Sequence, residues 1–178
     1  MDNYKLQISP GITIQLRKPK IKESRYELAI GEEVVGTIVL PKMFGTLAYV
    51  SSAKQEWSLE RKGFWKSSII LRKKGEETDL LKITVGKMSR RLLSFTSPKG
   101  EVYDLMREGF WGKSWIWTKN NMLLMRLHMK DGMKRSGEVA ILNNDPMDAI
   151  LMLAATYALI LKNRDEAASA VAVTAAVG

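Results

Sequence analysis

The sequence predicts a mainly β protein, a closed antiparallel barrel of about twelve strands enclosing a hydrophobic C-terminal helix. Three observations predict it. Apolar and polar residues alternate in short segments along most of the chain, the period of a strand with one buried face. Turn-forming residues separate these segments at roughly 8 to 12 residues, the spacing of sandwiches and barrels. Residues 149–161 then form an uncharged stretch that is apolar on nearly every side, and such a helix must be wrapped by protein or lipid.

The strands follow in order. Ile12-Thr13-Ile14-Gln15-Leu16 alternates cleanly, and segments 26–30 and 34–40 flank the turn signal Ile30-Gly31. Segments 47–51 and 57–61 come next, then 68–72 and 80–85 around Lys74-Gly75. Ser97-Pro98-Lys99-Gly100 separates 92–96 from 102–107, and Lys119-Asn120-Asn121 separates 114–118 from 123–129. In 123–129, Leu123, Met125, Leu127 and Met129 share one face. Asp131-Gly132 leads to the last segment, 138–142. A sheet this wide curls, and closure removes its exposed edges.

The helix is predicted over 146–166. Asp145 is placed to cap it, Pro146 sits where a missing N–H costs nothing, and Asp148 suits the positive end of the dipole. The apolar run stops at Lys162-Asn163-Arg164-Asp165-Glu166, short of the roughly 20 apolar residues a spanning helix needs. Burial inside protein is therefore the expected fate. Residues 1–166 form a single barrel domain, because no Pro/Gly/Ser-rich linker divides them. The Ala/Val-rich tail, 167–178, fits a flexible end or a continuation of the helix.

One unit is used twice. Trp57-Ser58-Leu59-Glu60-Arg61-Lys62-Gly63-Phe64-Trp65 lies over Tyr103-Asp104-Leu105-Met106-Arg107-Glu108-Gly109-Phe110-Trp111 at an offset of 46. Each copy reads as strand, tight Gly turn, strand, with the Gly supplying a positive φ. The Phe-Trp pair of each copy either packs at a barrel rim or is presented to a membrane interface or to nucleic-acid bases.

Composition narrows the chemistry. The chain has no Cys, so it has no disulfide framework and no thiol nucleophile. The amino end runs straight into strand pattern without an apolar signal core, and a cytoplasmic location is expected. His128, the single histidine, alternates onto the solvated face with Arg126 and Lys130, so no Ser-His-Asp arrangement is expected there. Gly109-Phe110-Trp111-Gly112-Lys113-Ser114 has the ending of a phosphate loop but not its spacing or its helix. No cofactor, metal site or catalytic residue is expected.

The net charge of +9 is uneven: residues 54–135 hold 19 Lys/Arg against 9 Asp/Glu, whereas residues 136–178 hold 2 against 5. A basic field of this kind attracts polyanions. The basic runs are 17–22, Arg72-Lys73-Lys74, and Lys87-Met88-Ser89-Arg90-Arg91. Arg72, Lys73, Lys74, Lys87, Arg90 and Arg91 are the candidate binding residues, on the expectation that their loops converge at one barrel mouth.

A dozen strands followed by Asn144-Asp145-Pro146-Met147-Asp148-Ala149, the apolar stretch to Leu161 and Asn163-Arg164-Asp165-Glu166 resembles the Tubby C-terminal domain-like superfamily, which includes the LURP-one-related proteins and the phospholipid scramblases. The resemblance implies a barrel threaded by its last helix, and a non-enzymatic module that in some members binds phosphoinositide headgroups or acts at membranes. No residue of this chain matches a phosphoinositide-binding motif, and lipid scrambling is not implied. The expected function is thus binding of anionic phospholipid headgroups or another polyanion at the periphery of a membrane. Nucleic-acid binding through the basic loops with Trp65 and Trp111, and a structural or interaction role without a small ligand, are the alternatives.

Overall fold

The structure, a computed structural model, describes residues 8–20, 23–42, 45–52, 55–63, 67–86, 91–109, 113–130 and 136–177, with side chains through residue 168. Twelve strands precede one helix: β1 (Thr13–Arg17), β2 (Arg25–Ile30), β3 (Glu33–Val39), β4 (Leu47–Ser52), β5 (Gln55–Lys62), β6 (Ser68–Lys73), β7 (Asp79–Val85), β8 (Arg91–Thr96), β9 (Val102–Arg107), β10 (Ser114–Lys119), β11 (Met122–Met129), β12 (Gly137–Ile141) and α1 (Asp148–Val177). Each strand pairs antiparallel with its neighbour in sequence, and β12 returns to β1 to close the barrel. Closure leaves no free outer strand, the usual remedy for an exposed sheet edge.

Alternation turns one set of side chains inward. Ile14 and Leu16, Tyr26 and Leu28, Trp57 and Leu59, Tyr103 and Leu105, and Val139 and Ile141 are all buried in pairs two residues apart. The interior they line is filled by α1, whose residues Ala149 to Leu161 are buried without exception. That explains why the helix has no polar stripe: it meets strands on every side. Burying each Leu or Ile of this stretch is worth about 1.5–3 kcal/mol.

The repeat predicted from sequence holds in the described residues. Leu59 and Leu105 are both fully buried, Trp57 and Tyr103 nearly so, and Gly63 and Gly109 both take positive φ, 86° and 73°. The two Phe-Trp pairs, including Trp65 and Trp111, lie outside the described residues. Two-residue hairpins join β2 to β3 through Gly31 and β10 to β11 through Asn120 and Asn121, all three at positive φ.

Strict alternation fails in β11. The β10–β11 register shifts between Trp117 and Thr118, so that Met125 opposes Trp117 while Leu123 opposes Thr118. The extra residue turns Leu124 into the core, and Leu123 is only partly buried. At the C terminus α1 continues to Val177, so the Ala/Val-rich tail is a helix extension, and Pro146 and Met147 form a turn ahead of the first helical residue.

The barrel has two mouths. At the upper mouth lie the connections β2–β3, β4–β5, β6–β7, β8–β9 and β10–β11, together with residues 142–147 leading into α1. The lower mouth carries the other six connections and the helix where it leaves the barrel.

Candidate functional site

At the upper mouth, the start of α1 is held by a network of polar groups. Asp145 and Asp148 form a reciprocal cap: the Met147 N–H donates to Asp145 Oδ1 at 2.9 Å, and the Asp145 N–H donates to Asp148 Oδ2 at 3.0 Å. Asp145 is 2 % exposed, a depth at which a carboxylate needs compensation. It receives Lys119 Nζ at 2.9 Å from the end of β10 and the Tyr103 hydroxyl at 3.1 Å from β9. Lys119 also reaches Glu101 at 2.8 Å, in the β8–β9 connection. Two strands and the turn into α1 thus converge on one carboxylate, and Glu101 joins them through Lys119.

The protonation of this cluster follows from its contacts. The Glu101 hydrogen bond raises the Lys119 ammonium above its ordinary range, with Asp145 adding to it against the cost of burial. Lys119 in turn holds Glu101 below the usual carboxylate value. Burial, reinforced by the Asp145 charge, pushes the Tyr103 hydroxyl up and keeps it a donor. Tyr103 also stacks on Phe95, with centroids 4.7 Å apart, and Phe95 meets Trp117 edge-on at 6.1 Å.

Beside the cluster lies a cavity of about 180 Å³ lined by Leu71, Leu80, Leu81, Pro98, Met147 and Ile150, with Tyr103 and Lys119 on its polar side. A second, larger cleft of about 300 Å³ lies at the lower mouth, between the departing helix and the wall. Its floor is Ile69, Val85, Leu92, Trp115 and Leu161, and its rim carries Arg61, Lys162, Asp165 and Glu166. Arg61 holds Asp165 at 2.5 Å, and its N–H donates to the Tyr157 hydroxyl at 3.0 Å. That hydroxyl donates to the Thr46 carbonyl.

Those of the sequence-predicted binding residues that the structure describes do not converge. Arg72, Lys73 and Lys74 lie at the upper mouth, at the end of β6 and the turn after it, whereas Arg91 opens β8 at the lower mouth. An antiparallel neighbour separates them, because β7 runs the full barrel height between β6 and β8. Lys87 and Arg90 lie outside the described residues. The upper group is also surrounded by acids. Arg72 meets Asp79 at 2.7 Å and Glu60 at 3.4 Å, Lys73 meets Glu76 at 3.0 Å, and Lys74 meets Glu56 at 2.9 Å. Arg91 meets Asp104 at 3.4 Å.

On β11 His128 is half-buried, and Ser114, its cross-strand partner on β10, places Oγ 3.1 Å from His128 Nδ1. Glu138 is its partner on the other side, but Lys130 engages that carboxylate at 2.6 Å. Neither cavity described above includes these residues. Cross-strand register, which depends on the β11 bulge, made this pair invisible to alternation alone.

No family model matches the chain, no curated protein matches it in sequence, and no solved structure matches its fold. Among the described residues there is no cluster of His, Cys, Asp and Glu able to hold a metal ion, and no helix long and apolar enough to cross a membrane.

Proposed function

We propose that this protein is a non-enzymatic binding module that meets an anionic phospholipid surface through the lower mouth of its barrel. The observation that carries the reading is a polarity of charge between the two ends. Among described residues of the inter-strand connections, the lower mouth has five Lys (Lys18, Lys20, Lys42, Lys113, Lys130) against two acids (Glu23, Glu108). Upper-mouth connections, including the one into α1, have two (Lys74, Lys99) against five (Glu32, Glu76, Glu77, Glu101, Asp145). A field of this shape orients the barrel with its lower end towards a negative surface.

The lower mouth adds what headgroups alone do not need. Its apolar cleft, floored by Ile69, Leu92 and Trp115, opens at the same mouth as the cations, a pairing suited to a headgroup with part of its acyl chain. The barrel interior offers no comparable room, since α1 fills it. We also propose membership of the Tubby C-terminal domain-like superfamily, for which the barrel around a C-terminal helix is the supporting feature. The binding residues then differ from those nominated by sequence: Lys18, Lys20, Lys42 and Lys113 replace Arg72, Lys73 and Lys74.

Liposome co-sedimentation across a salt series tests the proposal. Anionic vesicles should bind the protein at low salt and release it as screening grows, while neutral vesicles should not bind. Changing Lys18, Lys20, Lys42 and Lys113 to Glu should abolish binding; changing Arg72, Lys73 and Lys74 to Glu should leave most of it. Equal loss from both variants, or tighter binding to a single-stranded oligonucleotide than to vesicles, would reject it.

A further inference from the structure

We propose that the gap between β7 and β8 at the upper mouth docks an extended, basic peptide of a partner protein, which adds as a strand to the edge of β7 and seats one apolar side chain in the cavity beneath. This inference concerns the opposite mouth and stands apart from the phospholipid reading.

The gap is a break in an otherwise continuous wall. Every other neighbouring pair of strands shares three to six register pairs. β7 and β8 share two, Thr84↔Ser94 and Val85↔Leu93. The Gly86 N–H donates to the Leu92 carbonyl at 2.9 Å and finishes the seam at its lower end. Extending this register upward would set Ile83 opposite Phe95 and Lys82 opposite Thr96, and neither pair forms. From there to the upper mouth no register pair joins the two strands.

The direction of the peptide groups follows from the lower end. The Val85 N–H donates towards β6, to the Ser67 carbonyl at 2.9 Å, whereas the Gly86 N–H points to β8. Alternation therefore turns the N–H and C=O of Thr84 and Lys82 towards β8. Thr84 meets Ser94 there, but Lys82 has no ladder partner on that side. β7 keeps its other edge on β6, through Leu71↔Leu81 and Ile70↔Lys82. An open edge of this kind is a template for another strand.

Side chains around the gap select what can fill it. Leu80 is 42 % exposed on β7, and it lines the 180 Å³ cavity with Leu71, Leu81, Pro98, Met147 and Ile150. The space accepts an apolar side chain, while the strand edge asks for donors and acceptors at strand spacing, which a peptide backbone supplies and a lipid tail does not. At the β6–β7 turn beside it Asp79 and Glu76 already meet Arg72 and Lys73, and Glu77 is left to receive a flanking Lys or Arg of the peptide.

The test uses the full chain and a fluorescein-labelled peptide of about nine residues, a length within the range of natural strands, with Lys and Val alternating around a central Leu. Anisotropy should report saturable binding. N-methylation of alternate peptide amides, which keeps charge and side chains but removes the ladder, should weaken it by about tenfold or more. Lys82→Pro should do the same, since proline removes the edge N–H yet is tolerated on strand edges. Amide exchange of the free protein supplies a measurement independent of any variant: the Lys82 amide should exchange far faster than that of Thr84. Equal protection of the two amides, binding indifferent to N-methylation, or no saturable binding would each overturn the proposal.

Discussion

The two ends of α1 are held in different ways. At its start, Asp145 lies 2 % exposed and gathers Lys119, Tyr103 and the cap of its own helix, so the anchor sits out of water. At its exit the helix is tied by the Tyr157 hydroxyl and by Arg61 with Asp165, whose side chain is 54 % exposed. Solvent screens the second kind of tie and not the first, and removing one partner of a buried pair strands the other in a poor solvent. The lesson is directional: damage above should unfold the barrel, whereas damage below should loosen it locally.

The largest effect is expected at the buried anchor. Asp145→Ala leaves the Lys119 ammonium facing only Glu101 and removes the helix cap, and should cost about 3 kcal/mol or more in denaturant unfolding. A loss under about 1 kcal/mol would show that the upper anchor is no stronger than the lower one.

Next comes the seam between the two ends. A Cβ at Gly86 would lie 2.1 Å from the Arg91 carbonyl oxygen, a backbone atom that moves only with β8. Gly86→Ala should therefore cost about 2 kcal/mol by overpacking. Amide exchange at Thr84 should rise sharply while β10 and β11, joined through six register pairs, stay protected. Uniform loss of protection would mean that the barrel opens as a whole.

Tyr157→Phe samples the lower tie. It removes the acceptor of the Arg61 N–H and the donor to the Thr46 carbonyl, and should cost about 1–2 kcal/mol. The effect should stay below that of Asp145→Ala when both are measured by the same urea titration.

The smallest expected effect is in pH dependence. Lys119 holds the folded Glu101 carboxyl below its ordinary value of about 4.3. Its contribution is therefore complete above that unfolded value and is lost as pH falls through the lower, folded one. Thermal unfolding of Glu101→Gln should show a flatter acid limb than the parent below about pH 4, with the two curves parallel near neutrality. A difference that instead grows towards alkaline pH would contradict the pairing.

Much of the fold was legible in the sequence because strand and helix periods are local. All twelve strands fall where alternation and turn residues put them, within two residues at each end, and closure follows from a wide sheet that must hide its edges. The cap was legible too, since Asp145, Pro146 and Asp148 act on backbone groups within a turn of themselves. The candidate sites were not. Arg72-Lys73-Lys74 and Arg91 read as one basic surface until strand direction assigns them to opposite mouths. The pairing of Lys119 with Asp145, twenty-six residues apart, left no trace in either neighbourhood.

What the sequence determined by itself is what repeats within a few residues: strand faces, turn positions, the greasy core of α1 and its start. What only the tertiary structure decided is which residues meet across the barrel. The polarity of its two mouths, the convergence of β9, β10 and the turn into α1 on Asp145, and the unfinished β7–β8 seam all depend on register and strand direction. A one-residue shift in register exchanges the inward and outward faces of a strand, and no short-range pattern encodes that choice for a partner dozens of residues away.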